Sequence, residues 1–168
     1  GFYKLINNTP SYTTYSAGSG NLYDSGGATG NYTDDERELY LIQPINSDSV
    51  TATFNSFDIE QDWDFLFIYD GTTPNAPLIG KYTGTVSPGT INSTGGDLLL
   101  EFRSDCATSA SGWEIAYTSI PENYPPVSSF SITNTAICQG DSIPITNTST
   151  DATSYIWTSN GGTISNDT

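Results

Sequence analysis

At 168 residues the chain has room for one full domain and a remainder, and its 19 acidic against 4 basic residues leave a formal net charge of −15 with no histidine. A surface this acidic repels nucleic acid and anionic lipid, whose phosphates need clustered Lys or Arg. Without histidine, a Ser–His–Asp triad, a His-assisted cysteine nucleophile and a His-ligated catalytic zinc are all excluded within these residues.

Eleven Tyr, seven Phe and three Trp with no Met suit pleated surfaces better than helices. No window carries apolar residues at i, i+3, i+4 and i+7 over three turns, so the fold class is all-β. In chain order, strands are expected over 37–41, 49–57, 64–69, 78–82, 97–104 and 112–118. They are punctuated by SGGATGN at 25–31, QPINSD at 43–48, DGTTPNAP at 70–77, SPG at 87–89 and STGG at 93–96. SVTATFNSF places Val50, Ala52, Phe54 and Ser56 on one face and Ser49, Thr51, Thr53 and Asn55 on the other, a strand with one face wet. DFLFIYD is apolar on both faces, as a central strand covered from both sides would be. Short strands with frequent turns make an antiparallel β-sandwich or barrel.

Three prolines within six residues mark TSIPENYPPVSS, 118–129, as a stiff extended linker. Beyond it, strands are expected at 129–133, 142–147 and 154–158, about half of an immunoglobulin-like sandwich, which cannot close its own core. The chain therefore reads as a piece of something longer. No run of 18 apolar residues exists, so no membrane insertion is expected. GFYKLINN lacks a basic region followed by an apolar run, so a signal peptide would be removed or lie upstream. Cys106 and Cys138 are too few for a disulfide scaffold, and a bridge between them is left open.

Placed in order, these segments resemble a CUB domain over roughly residues 15–118: LYDSGGATGNY at 22–32, FDIE at 57–60, DFLFIYDG at 64–71, PLIGKYTGT at 77–85, a strand ending FRSD at 102–105, and GWEIAY at 112–117. The YDSGG opening resembles the bacterial branch of that family. Residues 126–168, with CQGDSI, Tyr155–Ile156–Trp157 and a following GG, resemble the start of a PKD domain, an immunoglobulin-like module. The resemblance implies a lead-in at 1–14, a CUB-like jelly-roll sandwich at 15–119, a Pro-rich linker at 120–128, and the first half of a PKD-like sandwich at 129–168. Many CUB domains carry two disulfides. Here TYSAGSG precedes YDSGG and Trp63 precedes Asp64, so both are absent. Packing must hold the sandwich instead, with Trp63, Phe65, Phe67, Tyr69 and Trp113 as the aromatic load.

In calcium-binding members the resemblance assigns the ion's ligands to Glu60, Asp64 and Asp105, with Tyr32 supporting the site. The residues read alone agree, because three carboxylates converging without Lys or Arg repel unless a cation lies between them. Ca²⁺ takes about 6–8 oxygens, so carbonyls near 106–108 and water would complete the shell. The bland alternative is that these are hydrated, capped acids on a soluble protein. Asp70 before Gly71 reads as a turn former, and Asp58 and Asp62 as solvated loop acids. DSV at 48–50 and DSI at 141–143 resemble a bacterial O-glycosylation sequence that would modify Ser49 and Ser142. A glycosidase needs two carboxylates about 5–9.5 Å apart in a cleft, which any acid pair fits loosely. GGATGNY has glycines but no Lys and no following helix, so it is not a nucleotide loop.

The leading expectation is a non-catalytic, Ca²⁺-binding extracellular module in a larger secreted or cell-surface bacterial protein. It would contact proteins or glycans, in part through Lys-bearing ligands, and neighbouring domains of its own polypeptide. Two alternatives stand beside it: an accessory piece of a secreted peptidase or glycan-degrading hydrolase, and a spacer in a surface filament or adhesin stalk.

Overall fold

The computed structural model describes residues 10–122, 125–133, 136, 138–152, 154–158, 160–161 and 163–164, and these contain no helix. Two units separate, Gly1–Glu122 and Asn123–Thr168. The first holds β1 (Ser11–Tyr15), β2 (Ser19–Tyr23), β3 (Arg37–Ile42), β4 (Ser47–Asp58), β5 (Phe65–Tyr69), β6 (Leu78–Tyr82), β7 (Thr90–Asn92), β8 (Leu98–Arg103) and β9 (Gly112–Pro121). They form a five-stranded sheet, β1-β3-β8-β5-β6, and a four-stranded sheet, β2-β9-β4-β7. Every pairing is antiparallel except β1 on β3, which is parallel.

Alternation along the strands supplies the core between the sheets. Tyr40 and Ile42, Leu66 and Ile68, and Leu98, Leu100 and Phe102 face inward from one sheet. Leu22, Val50, Ala52, Phe54, Ile91, Trp113, Ile115 and Tyr117 answer from the other. In β4 the expected alternation fails at its end. A bulge between Phe54 and Ser56 shifts the register, so Ser56 is exposed and Phe57 turns inward.

The strand covered on both faces is β8, not β5. Leu98 to Phe102 are all fully buried, whereas β5 lies next to the edge strand β6. The outer face of β5 is sheathed by its own rings and by cations. Lys81 Nζ lies 3.5 Å from the Phe65 centroid, and the Arg103 guanidinium 4.9 Å from that of Phe67. Leu39, Leu41, Tyr69 and Leu99 form a second apolar cluster on this face. Trp63 takes no part in the packing, being 65% exposed.

Asp24, in the YDSGG element, ties β2 to the start of β9. Its Oδ1 accepts from Gly26 N at 2.8 Å and its Oδ2 from Trp113 N at 2.6 Å. Burial pushes its carboxyl up, and those two amides partly offset the rise. Gly112 has φ +75°, and a Cβ there would lie 1.9 Å from Asp24 Oδ2. We therefore expect Gly112→Ala to cost at least the roughly 1–2 kcal/mol of a left-handed residue. Denaturant unfolding would show the loss, and an unchanged midpoint would contradict this role for Gly112.

In the second unit, β10 (Phe130–Ile132) pairs antiparallel with β11 (Ile145–Asn147), and Val127 bridges Thr150. The strand expected at 154–158 does not form. A segment becomes a strand only when a neighbour takes its N–H and C=O groups. Among the described residues none does so here. Trp157 instead packs edge-on against Phe130 and Tyr155, with centroids 5.8 and 6.1 Å apart. No described side chain of this unit is fully buried. Cys106 and Cys138 are exposed free thiols.

Candidate metal centre

Two loops at one end of the first sandwich bring Glu60, Asp64 and Asp105 together. One carboxylate oxygen from each lies within 4.8 Å of the others. Glu60 and Asp64 flank a tight bend after β4, closed by Asp64 N donating to Glu60 O at 3.2 Å. Asp62, inside the bend, has φ +67°. Asp105 follows β8, and its Oδ1 accepts from Ala107 N at 2.9 Å in an Asx turn. Thr108 beyond it has φ +66°. These non-glycine residues in the left-handed region show loops held by their surroundings rather than by local preference.

Asp64 is fully buried. Its Oδ1 accepts from Asp105 N at 2.8 Å, and its Oδ2 accepts a short hydrogen bond from the Tyr32 hydroxyl. Tyr32 is itself 1% exposed, packs edge-on against Phe102 at 4.9 Å, and accepts from Glu60 N at 3.0 Å. One phenol thus fixes two of the three acidic residues. Burial and the hydrogen bond to Asp64 raise its pKa far above the ordinary tyrosine value, so it stays a donor.

Glu60 Oε2 is buried without a hydrogen-bond partner. Burial pushes the Glu60 carboxyl up, and the charges of Asp105 and Asp64 push it further. Among the described residues, the ion pairs of Arg37 and Arg103 both go to Glu101, and none reaches this cluster. A buried oxygen with no donor, beside two further carboxylates, is a donor set suited to a hard cation. The residues present therefore fit Ca²⁺.

Thr83 was not anticipated as a support. Its hydroxyl donates to Glu60 O at 3.1 Å and accepts from Asp62 N at 2.8 Å, pinning the bend from β6. In a chain this rich in threonine nothing singled it out. The other candidate residues lie elsewhere. Ser49 is half-buried within β4, and Ser142 is exposed beside Asp141. Asp58 accepts from Ser111 Oγ at 3.1 Å. Asp70 anchors a neighbouring loop, accepting from Thr94 N at 2.9 Å and Thr94 Oγ1 at 2.6 Å, while its own N–H closes the β5–β6 connection onto Pro77 O.

Residues 13–117 match the CUB domain family model. Cubilin of Sus scrofa is 37% identical over 111 residues, which cover 64% of this chain and 3% of that protein. Human Tolloid-like protein 1 is 37% identical over 91 residues, covering 49% and 9%. Among solved structures, the MASP-1 CUB2 domain bound to Ca²⁺ superposes with a TM-score of 0.55 at 24% identity, covering 64% of this chain and 98% of that one. The CUB1-EGF-CUB2 domain of human MASP-1/3 gives 0.56 at 23%, covering 66% and 42%. The chain spans about 3% of the length of the cubilins it matches. The sequence match over most of the first unit, and the sandwich those structures share, place this chain in the CUB domain family.

Proposed function

We propose that the CUB domain of this chain is a non-catalytic, Ca²⁺-binding interaction module of a longer extracellular protein, either secreted or displayed on a cell surface. The convergence of Glu60, Asp64 and Asp105 carries this reading. The orphaned Glu60 Oε2 and the phenol of Tyr32 support it. Carbonyls of the 106–108 turn and water would fill the remaining positions. A bound ion would hold the two loops in one arrangement and leave an acidic rim, next to the exposed Trp63, for a Lys-bearing protein or glycan partner. Such a contact is electrostatic and weakens as salt rises. The resemblance of residues 129–168 to the start of a PKD-like module, supported by the β10–β11 ribbon and the packing of Trp157 on Phe130, makes neighbouring domains of the same polypeptide the natural companions. The YDSGG element is what favours a bacterial source, with Ser49 and Ser142 as the glycosylation candidates there.

Calorimetric titration of the 168-residue chain with Ca²⁺ tests the reading. We expect a 1:1 isotherm with a Kd of about 10⁻⁶ to 10⁻³ M, abolished in an Asp64→Ala, Asp105→Ala variant. No heat, together with no rise in melting temperature in millimolar Ca²⁺, would leave the acids as surface chemistry and the domain as a spacer.

A further inference from the structure

The chain has four Lys and Arg residues, and three of them, Arg37, Lys81 and Arg103, share the outer face of the five-stranded sheet. Strand register sets them in a row. Arg37 pairs with Arg103, Arg103 with Phe65, and Lys81 leans over Phe65 from the edge strand. One carboxylate sits among them. Glu101, fully buried, accepts on Oε1 from Arg37 Nε at 2.7 Å and from Arg103 Nε at 2.9 Å and Nη2 at 2.8 Å. Its Oε2 accepts from Tyr69 at 3.2 Å. A guanidinium offers five donors, so both forks keep donors beyond those committed to Glu101. Their side chains remain 36% and 46% exposed.

The opposite sheet shows how unusual this is. Its outer face is built of Thr51, Thr53, Asn55, Thr90 and Asn92, with Glu114 accepting from Tyr23 and Asn55. It carries no cation. On a chain of net charge −15, cations gathered on one face, beside half-exposed Phe65 and Phe67 and exposed Leu78 and Ile79, form a surface whose charge complement is an anion carried on an apolar partner.

We propose that this face docks an extended peptide segment in which carboxylates alternate with apolar side chains. The carboxylates meet Arg37, Arg103 and Lys81, and the apolar side chains lie beside the cation-covered rings, on Leu78 and Ile79. An anionic polysaccharide suits the face less well. The rings it would stack on are already overlaid by Lys81 and Arg103, and Glu101 neutralises part of the charge a dense polyanion would use. This site is separate from the carboxylate cluster and does not need Ca²⁺.

The test titrates the isotopically labelled 168-residue chain, in chelator, with a short synthetic peptide alternating Glu and Leu, and follows it by NMR. Its Gln-for-Glu counterpart and a heparin fragment serve as comparisons. We expect saturable shifts confined to 37–41, 65–69, 78–82 and 99–103, no binding of the Gln peptide, and weakening as NaCl rises from about 20 to about 300 mM. Lys81→Glu should weaken binding about tenfold or more. Lys81 touches only the phenylalanine rings among these groups, so that variant should keep the parent's spectrum elsewhere. No saturable shifts, shifts on another surface, equal binding of the Gln peptide, or an unaffected Lys81→Glu would each overturn the proposal. So would tighter binding of the heparin fragment at the same residues, which would make the face a glycan site.

Discussion

Replacing both Arg37 and Arg103 by leucine lowers the unfolding free energy by about 3–5 kcal/mol at neutral pH, because it strands a buried carboxylate without its partners. Glu101 has no exposure, and its only remaining donor would be the Tyr69 hydroxyl. The pH response distinguishes this loss from simple loss of packing. In the parent, burial works to raise the Glu101 carboxyl, but the hydrogen bonds and charges of Arg37 and Arg103 outweigh it and hold the pKa below the ordinary carboxylate value. The folded state then binds that proton more weakly than the unfolded state. The stability Glu101 contributes is present in full above the ordinary value and is lost as pH falls through the lowered one. In the double variant burial is opposed only by the Tyr69 hydrogen bond, so the pKa rises. Acid should then stabilise the variant, relative to its own value at neutral pH, as pH falls through the raised pKa towards the ordinary carboxylate value, whereas the parent weakens only below that value. Urea unfolding at several pH values measures both slopes. Parallel slopes would mean that Glu101 is not held ionised by the two arginines. Glu101→Ala should be the milder change, since the two freed guanidinium groups already reach water.

Much of the sandwich can be read from alternation, and the exceptions have local causes. β3, β5, β8 and β9 fall close to their expected spans because each places two or more large apolar side chains in the core at period two, while β6 does so with only Tyr82 packed against the core. β1 gives no such signal. SYTTY is almost wholly exposed, and it is a strand because its parallel partner β3 offers an edge. β2 carries one buried residue, Leu22, after a glycine, and β7 spans three residues. The bulge in β4 is set by its pairing with β9 and cannot be read from SVTATFNSF. The reading of DFLFIYD as a central strand took apolar residues on both faces to mean cover by other elements. The cover comes from Lys81 and Arg103, and the partner that makes Arg103 available is Glu101, two positions earlier on the same face. The carboxylate cluster was suggested by family resemblance and by the scarcity of cations. No periodicity in the chain joins Asp64 to Asp105, which lie 41 positions apart and meet through the Asp105 N–H.

The second large effect is a reversal of sign at Asp105. In chelator, Asp105→Asn should be more stable than the parent. The substitution removes one of three like charges that crowd within 4.8 Å, while a carboxamide oxygen can still accept from Ala107 N. Relief falls mainly on Glu60, whose carboxyl is pushed up by burial and then by Asp105 and Asp64. With Ca²⁺ present the order inverts. A ligand at about 100 times its Kd stabilises the folded state by roughly 2.7 kcal/mol, and the parent gains this while the variant, short of one anionic ligand, gains little. Melting curves of the two proteins should therefore cross as Ca²⁺ rises. Each kcal/mol moves the midpoint of a domain of this size by about 4–8 °C, so the crossing is measurable. A variant already less stable in chelator would show that Asp105 is held by its turn rather than strained by its neighbours. Parallel gains in Ca²⁺ would remove Asp105 from the coordination shell. Only the crossing expresses both halves of the argument, that the same three charges cost stability when bare and contribute it when they share a cation.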